Sequence, residues 1–367
     1  MYDKEINAIK KANRYRQRTI SNEFLIDAAS NDYLGLASNR ILFDNAYQRV
    51  AKHSFHAPKS SLLVNGYTSI HQEFEKALCQ ANGFEEGIVL GSGFLANLSL
   101  IEALVRKKDI LFMDEEYHAS GMVATRLLNK SQVFFFKHND AQDLKHLLEQ
   151  LDLNKYHRII IAIEGVYSMH GDIASKEIFD LADEYDTLLI VDEAHSSGVI
   201  GENLLGVFDY YNIVPKHNHI KMGTLGKAYG SYGAYILASF EIIDFLLNKA
   251  KAIIYTTALS LFDTALGHES LNFILAHKKE FKTKIQKNLQ IIKEHLHIPS
   301  QSLIIPITVG DNQSVLEIQK NLKTLGFAVG AIRQPTVKKA IIRVIAKTDI
   351  AEHDLINLSK YLYQHRG

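Results

Sequence analysis

The chain has 367 residues, enough for two or three domains of roughly 150 residues and for a core that needs no covalent staples. Its 41 Lys and Arg balance 41 Asp and Glu, which removes the general attraction to polyanions on which nucleic-acid binding rests. Only 22% of residues are charged and 47% hydrophobic, no apolar run reaches the ~18 residues of a membrane span, and Cys79 is the single cysteine. These values exclude nucleic acid as the main partner, a membrane-spanning protein, an internal disulfide and a multi-cysteine metal site.

The first residues, with Asp3, Lys4, Glu5, Lys10 and Lys11, are charged rather than shaped like a signal peptide, so a cytoplasmic protein is expected. Residues 1–36 are polar and basic at Arg14, Arg16 and Arg18 and are expected to form a helix and an arm packed on the rest. Across 37–260, β-branched or aromatic runs recur at 87–90, 110–113, 133–136, 159–163, 188–191, 220–223 and 234–237. Most are separated by enough chain for a helix, which predicts a large α/β domain with a mostly parallel sheet of seven strands sandwiched by helices. Runs such as Ile159-Ile160-Ile161-Ala162-Ile163 are apolar on consecutive positions, as strands covered on both faces are. From about Glu241 the texture changes to long helical patterns through Lys293. Strands at 303–309, 327–332 and 340–345, a helix at 314–325 and a last helix from Ile350 then predict a smaller α+β domain over 261–367.

Four segments carry residues suited to chemistry. Gly223-Thr224-Leu225-Gly226-Lys227 follows a strand, and a lysine that loses its proton there becomes an amine nucleophile. Alone, the segment also describes a surface turn with a solvated lysine. In Asp192-Glu193-Ala194-His195 a carboxylate ends a buried strand and a histidine follows three residues on; in such sheets ligands sit beyond the strands' carboxyl ends, so both face the crevice of Lys227. The other reading of Asp192 is a helix cap. Gly91-Ser92-Gly93-Phe94 before an apolar helical run offers backbone amides to a phosphate, with the Thr224 hydroxyl in support. His118, after another strand, is either a lid over a flat ring or a satisfied structural histidine. His217 and His219 read as solvated, and no metal site is expected. Asp192-Glu193-Ala194-His195 also spells a helicase-type motif, but the phosphate loop such an enzyme needs upstream is missing.

Taken together, the chain resembles the α-oxoamine synthase family of pyridoxal 5′-phosphate enzymes, of the aspartate aminotransferase-like fold type I. The resemblance runs from Asn31-Asp32-Tyr33-Leu34-Gly35 through Ser92-Gly93-Phe94, Tyr117-His118-Ala119-Ser120, Lys137-His138-Asn139-Asp140, Glu164-Gly165-Val166-Tyr167-Ser168-Met169 and Asp192-Glu193-Ala194-His195 to Thr224-Leu225-Gly226-Lys227. It implies that Lys227 links the cofactor and that Asp192 partners its ring nitrogen. His195 and Ser168 would stand at its phenolic oxygen, His118 would stack on the ring, and Gly93, Phe94 and Thr224 would contact ring and phosphate. Thr256 and Thr257 would reach the phosphate from a neighbouring subunit, which implies a homodimer with shared sites. The segment Ile332-Arg333-Gln334-Pro335-Thr336-Val337 resembles that of the members condensing L-alanine with a pimeloyl thioester on the way to biotin, rather than that of the glycine-using members. Arg333 would then hold a substrate carboxylate, with Arg16, Asn31, His118 and Thr336 near the substrate. Two departures, 56–66 and Lys338-Lys339-Ala340-Ile341-Ile342-Arg343, bear on substrate detail rather than on the lysine chemistry.

Overall fold

Runs of β-branched residues with no polar alternation must bury both faces, and in the computed structural model, which describes residues 1–365, they do so. The strands are β1 (Ile26–Ala28), β2 (Glu86–Leu90), β3 (Ile110–Asp114), β4 (Val133–Phe136), β5 (Ile159–Glu164), β6 (Leu188–Asp192), β7 (His219–Thr224), β8 (Ala234–Ala238), β9 (Ile304–Gly310), β10 (Phe327–Ile332) and β11 (Ala340–Ile345). The chain forms two compact units, 34–168 with 172–282, and 1–33 with 169–171 and 283–367. The expected boundary at 260 precedes the helix Leu261–Leu296, along which the chain passes from one unit to the other.

The larger unit is built on a seven-stranded sheet of order β2-β8-β7-β6-β5-β3-β4. All pairings are parallel except the two made by β8, which runs antiparallel to β7 and β2. The reason is local: nine residues, 225–233, join β7 to β8, too few for the crossover that a parallel return requires. Gly230 and Gly233 close that loop at φ 58° and 120°, and a Cβ on Gly230 would run into the backbone of Leu36 and Ala37. Ile88, Leu100, Leu111, Ile160, Ile190, Ile220, Ile236 and Leu246 join in one buried cluster, each side chain contributing about 1.5–3 kcal/mol.

The smaller unit holds a four-stranded sheet of order β1-β10-β11-β9. Its apolar strand faces, with Ile305, Ile342 and Val344, are buried, as are Leu355 and Leu358 of the helix Glu352–His365. The helix Asp3–Lys11 buries none of its residues. Its apolar side chains, such as Ile6 and Ile9, are too few to cover a core surface, and the chain after it is held instead through backbone carbonyls. Asn312 Nδ2 donates to the Ala12 carbonyl (3.4 Å), and Arg333 Nη1 to those of Asn13 (2.9 Å) and Tyr15 (3.2 Å).

Candidate active site

The carboxyl ends of β3, β5, β6 and β7 open onto one side of the larger sheet, and the residues just beyond them enclose a cavity of about 180 Å³. Glu164 and Asp192 come from the ends of β5 and β6, Met222 and Thr224 from β7, and Lys227 from the loop after it. His118 comes from the segment after β3, and Ala194 and His195 from that after β6. Gly93, Phe94 and Asn97 belong to the helix Gly93–Leu104, whose start is capped by Ser92 Oγ accepting the Leu95 N–H (3.3 Å). A larger groove of about 680 Å³ in the same unit, at Arg106, Leu127 and Lys251, brings together no such constellation.

Lys227 Nζ stands 2.7 Å from His195 Nε2. The Asp192 carboxylate is buried with a donor on each oxygen: the Ala194 N–H on Oδ1 (2.9 Å) and Asn97 Nδ2 on Oδ2 (2.8 Å). Such donors hold the carboxylate in one orientation. Asn97 extends the network by donating to Ser120 Oγ (2.8 Å) and accepting from the Tyr117 hydroxyl (2.7 Å). Ser120 in turn sets His118, whose Nδ1 accepts the Ser120 N–H (3.3 Å) and lies 2.7 Å from its Oγ. With Nδ1 an acceptor, the proton of neutral His118 is on Nε2. Burial lowers the His118 pKa, the Lys227 charge adds to this, and the Asp192 charge only partly opposes them.

Of the residues singled out in the sequence, Lys227, Asp192, His195, His118, Gly93, Phe94 and Thr224 meet in this cavity. Ser168 is buried beside it, donating its N–H to Glu164 Oε2 (2.9 Å). Thr256 and Thr257 lie in the chain after the short helix Lys251–Ile254, outside the cavity lining, with Thr257 exposed. Arg16, Asn31, Arg333 and Thr336 belong to the smaller unit, where Arg16 Nη2 donates to Thr336 Oγ1 (3.1 Å). There Asn31 Oδ1 accepts from Arg343 Nη1 (3.0 Å), a buried guanidinium on β11 that the motifs did not single out. Asn97 and Glu164 were also not singled out. The one signal for Asn97 is its place one helical turn after Gly93, on the same face. His217 is exposed as expected, but His219 is not solvated: as the first residue of β7 it is buried, with Nε2 3.2 Å from Asp183 Oδ1. No metal-binding group of His, Cys, Asp and Glu occurs among the described residues.

The family profile of aminotransferase class I and II matches residues 25–356. The chain belongs to this family. An 8-amino-7-oxononanoate synthase of Helicobacter pylori is 45% identical over 98% of this chain and 98% of its own length. One of Saccharophagus degradans is 32% identical over 97% and 94%. The crystal structure of the 8-amino-7-oxononanoate synthase of Francisella tularensis superposes with a TM-score of 0.78 at 26% identity, covering 94% of this chain and 98% of that one. A serine palmitoyltransferase from S. paucimobilis with a bound PLP–myriocin aldimine gives a TM-score of 0.88 at 20% identity over 99% and 96%, a likeness of fold. The fold is that of type I pyridoxal 5′-phosphate enzymes, and that is the cofactor of this family.

The residues present fit the group. An amine and a carboxylate oriented by two donors share one cavity. Its wall includes the first turn of a helix, where unpaired N–H groups favour an anion. At that turn a Cβ on Gly93 would stand 3.8 Å from Thr224 Cβ, and both residues line the cavity.

Proposed function

We propose that this chain is the acyltransferase that condenses L-alanine with a pimeloyl thioester, carried on coenzyme A or a carrier protein, to give 8-amino-7-oxononanoate, carbon dioxide and the free thiol, in biotin biosynthesis. The observation that carries the reading is the placing of Lys227, His195 and Asp192 in one cavity, in a chain similar from end to end to proteins of that name. Pyridoxal phosphate, when bound, supplies the electron sink for breaking bonds at the amino-acid α-carbon.

The chain's own residues do the rest. Lys227 attaches the cofactor through Nζ and takes the α-proton of alanine. Asp192, fixed by Asn97 and Ala194, keeps a proton on the ring nitrogen, which deepens the sink. His195 and Ser168 serve the phenolic oxygen, and His118 covers the ring with its protonated Nε2 left for the ligand. Gly93, Phe94 and Thr224 hold cofactor and phosphate, joined by Thr256 and Thr257 of a second copy in a cytoplasmic homodimer. No helix among the described residues is long and apolar enough to cross a membrane. In the smaller unit, Arg333 takes the alanine carboxylate, with Arg16, Asn31 and Thr336 at the substrate; Arg343, buried beside Asn31, is a second cation of that unit suited to the same role.

Thiol-release assays test the choice of substrate. Alanine with a pimeloyl thioester is expected to exceed glycine with acetyl-CoA or succinyl-CoA by at least about tenfold in kcat/KM, equivalent to ~1.4 kcal/mol. A preference for either glycine pairing would move the function to a glycine-using relative and leave the Lys227 chemistry in place.

A further inference from the structure

Two carboxylates stand side by side at the carboxyl end of the sheet. Glu164 ends β5 and Asp192 ends β6, and the two are register partners, so their side chains leave the same face into the same cavity. They are provided for unequally. Asp192 has a donor on each oxygen. Glu164, 1% exposed, accepts the Ser168 N–H on Oε2 (2.9 Å), while its buried Oε1 has no hydrogen-bond partner.

An ionised oxygen buried without a donor is costly, and two neighbouring carboxylates seldom both ionise in a site shielded from water. One proton therefore belongs to the pair, and the acid with fewer donors takes it. Burial first, then the Asp192 charge and in smaller part Asp114, raise the Glu164 pKa well above the ordinary value. The Ser168 N–H and the Lys227 charge oppose this without reversing it.

We propose that Glu164 is kept as the neutral carboxylic acid and that its Oε1–H donates a hydrogen bond to an oxygen of the ligand in this cavity. The acceptor is an anionic or carbonyl oxygen, either of the cofactor or of the substrate bound beside it. The second half of this statement rests on the cavity holding pyridoxal phosphate; the first half does not.

The protonation state is tested on the protein without cofactor, so its failure is separable from failure of the functional assignment. The infrared difference spectrum between wild type and Glu164→Gln at pH 7 should contain a carboxylic-acid C=O stretch. Carboxylate bands alone would overturn the proposal. In the loaded protein, Glu164→Gln removes no charge if the acid is neutral, so the pH midpoint of the cofactor's visible band should move by less than about 0.3 unit, and a move of about one unit or more would overturn it. Glu164→Leu removes the donor. About tenfold weaker cofactor retention assigns the acceptor to the cofactor, and a tenfold rise in substrate KM at normal retention assigns it to the substrate. If neither changes, or if Glu164→Leu does not fold and Glu164→Gln behaves like the loss of a charge, the donor role is refuted.

Discussion

Asn97→Ala removes the side chain that joins the two histidine- and aspartate-bearing walls of the cavity. Three hydrogen bonds go with it: one to the Asp192 carboxylate, one to Ser120 Oγ and one from the Tyr117 hydroxyl, all buried. A bond to a charged group contributes about 1.5–3 kcal/mol and a neutral one about 0.5–1.5 kcal/mol, so the low end is about 2.5 kcal/mol. The low end applies because Asn97 lines a cavity from which water can partly replace its donors. Urea unfolding of wild type and variant without cofactor measures the loss directly. Without Asn97 the Ser120 hydroxyl is no longer set toward His118 Nδ1, so the His118 imidazole, followed by NMR, should also titrate at a different pH from wild type. A stability loss under about 1 kcal/mol together with an unchanged His118 titration would refute the network.

His138 lies between two acids, with Nδ1 3.3 Å from Asp114 Oδ1 and Nε2 3.2 Å from Asp172 Oδ2. Burial alone would lower its pKa, but these hydrogen bonds and charges prevail and raise it to about 10. A pKa raised on folding gives stability that is complete below the unfolded value of about 6.5 and lost as pH rises through about 10. The stability difference between wild type and His138→Gln should therefore shrink from pH 6 to pH 10, and a constant or growing difference would contradict it. Asp192→Asn should still bind the cofactor but slow exchange of the alanine α-proton with deuterated solvent, because a neutral amide supports a ring-nitrogen proton less well; an unchanged exchange rate would contradict the role. Arg333→Ala should raise the alanine KM by at least about tenfold, and a rise seen only in Arg343→Leu would move the carboxylate to Arg343.

The seven strands of the large sheet were legible because their apolar runs bury both faces and end in turn chemistry; their observed bounds lie within about a residue of the expected ones. What the runs did not show is direction. The antiparallel course of β8 follows from the length of the loop carrying Lys227, a property of the connection rather than of the strand. β1 was missed because three residues, Ile26–Ala28, pair through their backbone with Phe327–Val329, and nothing local marks them. That Lys227, Asp192 and His195 meet in one cavity was legible in their motifs. The places of Asn97 and Glu164 beside them were not, because each is set by a neighbour distant in sequence: Asn97 bonds Asp192 across 95 positions, and Glu164 meets Asp192 only through sheet register. His219 was misread for the same reason, its partner Asp183 lying 36 residues away.

The central claim is that Lys227 is the cofactor's attachment point in the cavity shared with Asp192 and His195. Borohydride reduction of the pyridoxal phosphate-loaded protein, followed by proteolysis and mass spectrometry, tests it most directly. A phosphopyridoxyl group on Lys227, with loss of the stable adduct in Lys227→Ala, is the predicted result. Modification of another lysine in its place, such as the buried Lys221, or an adduct and turnover that survive Lys227→Ala, would contradict it.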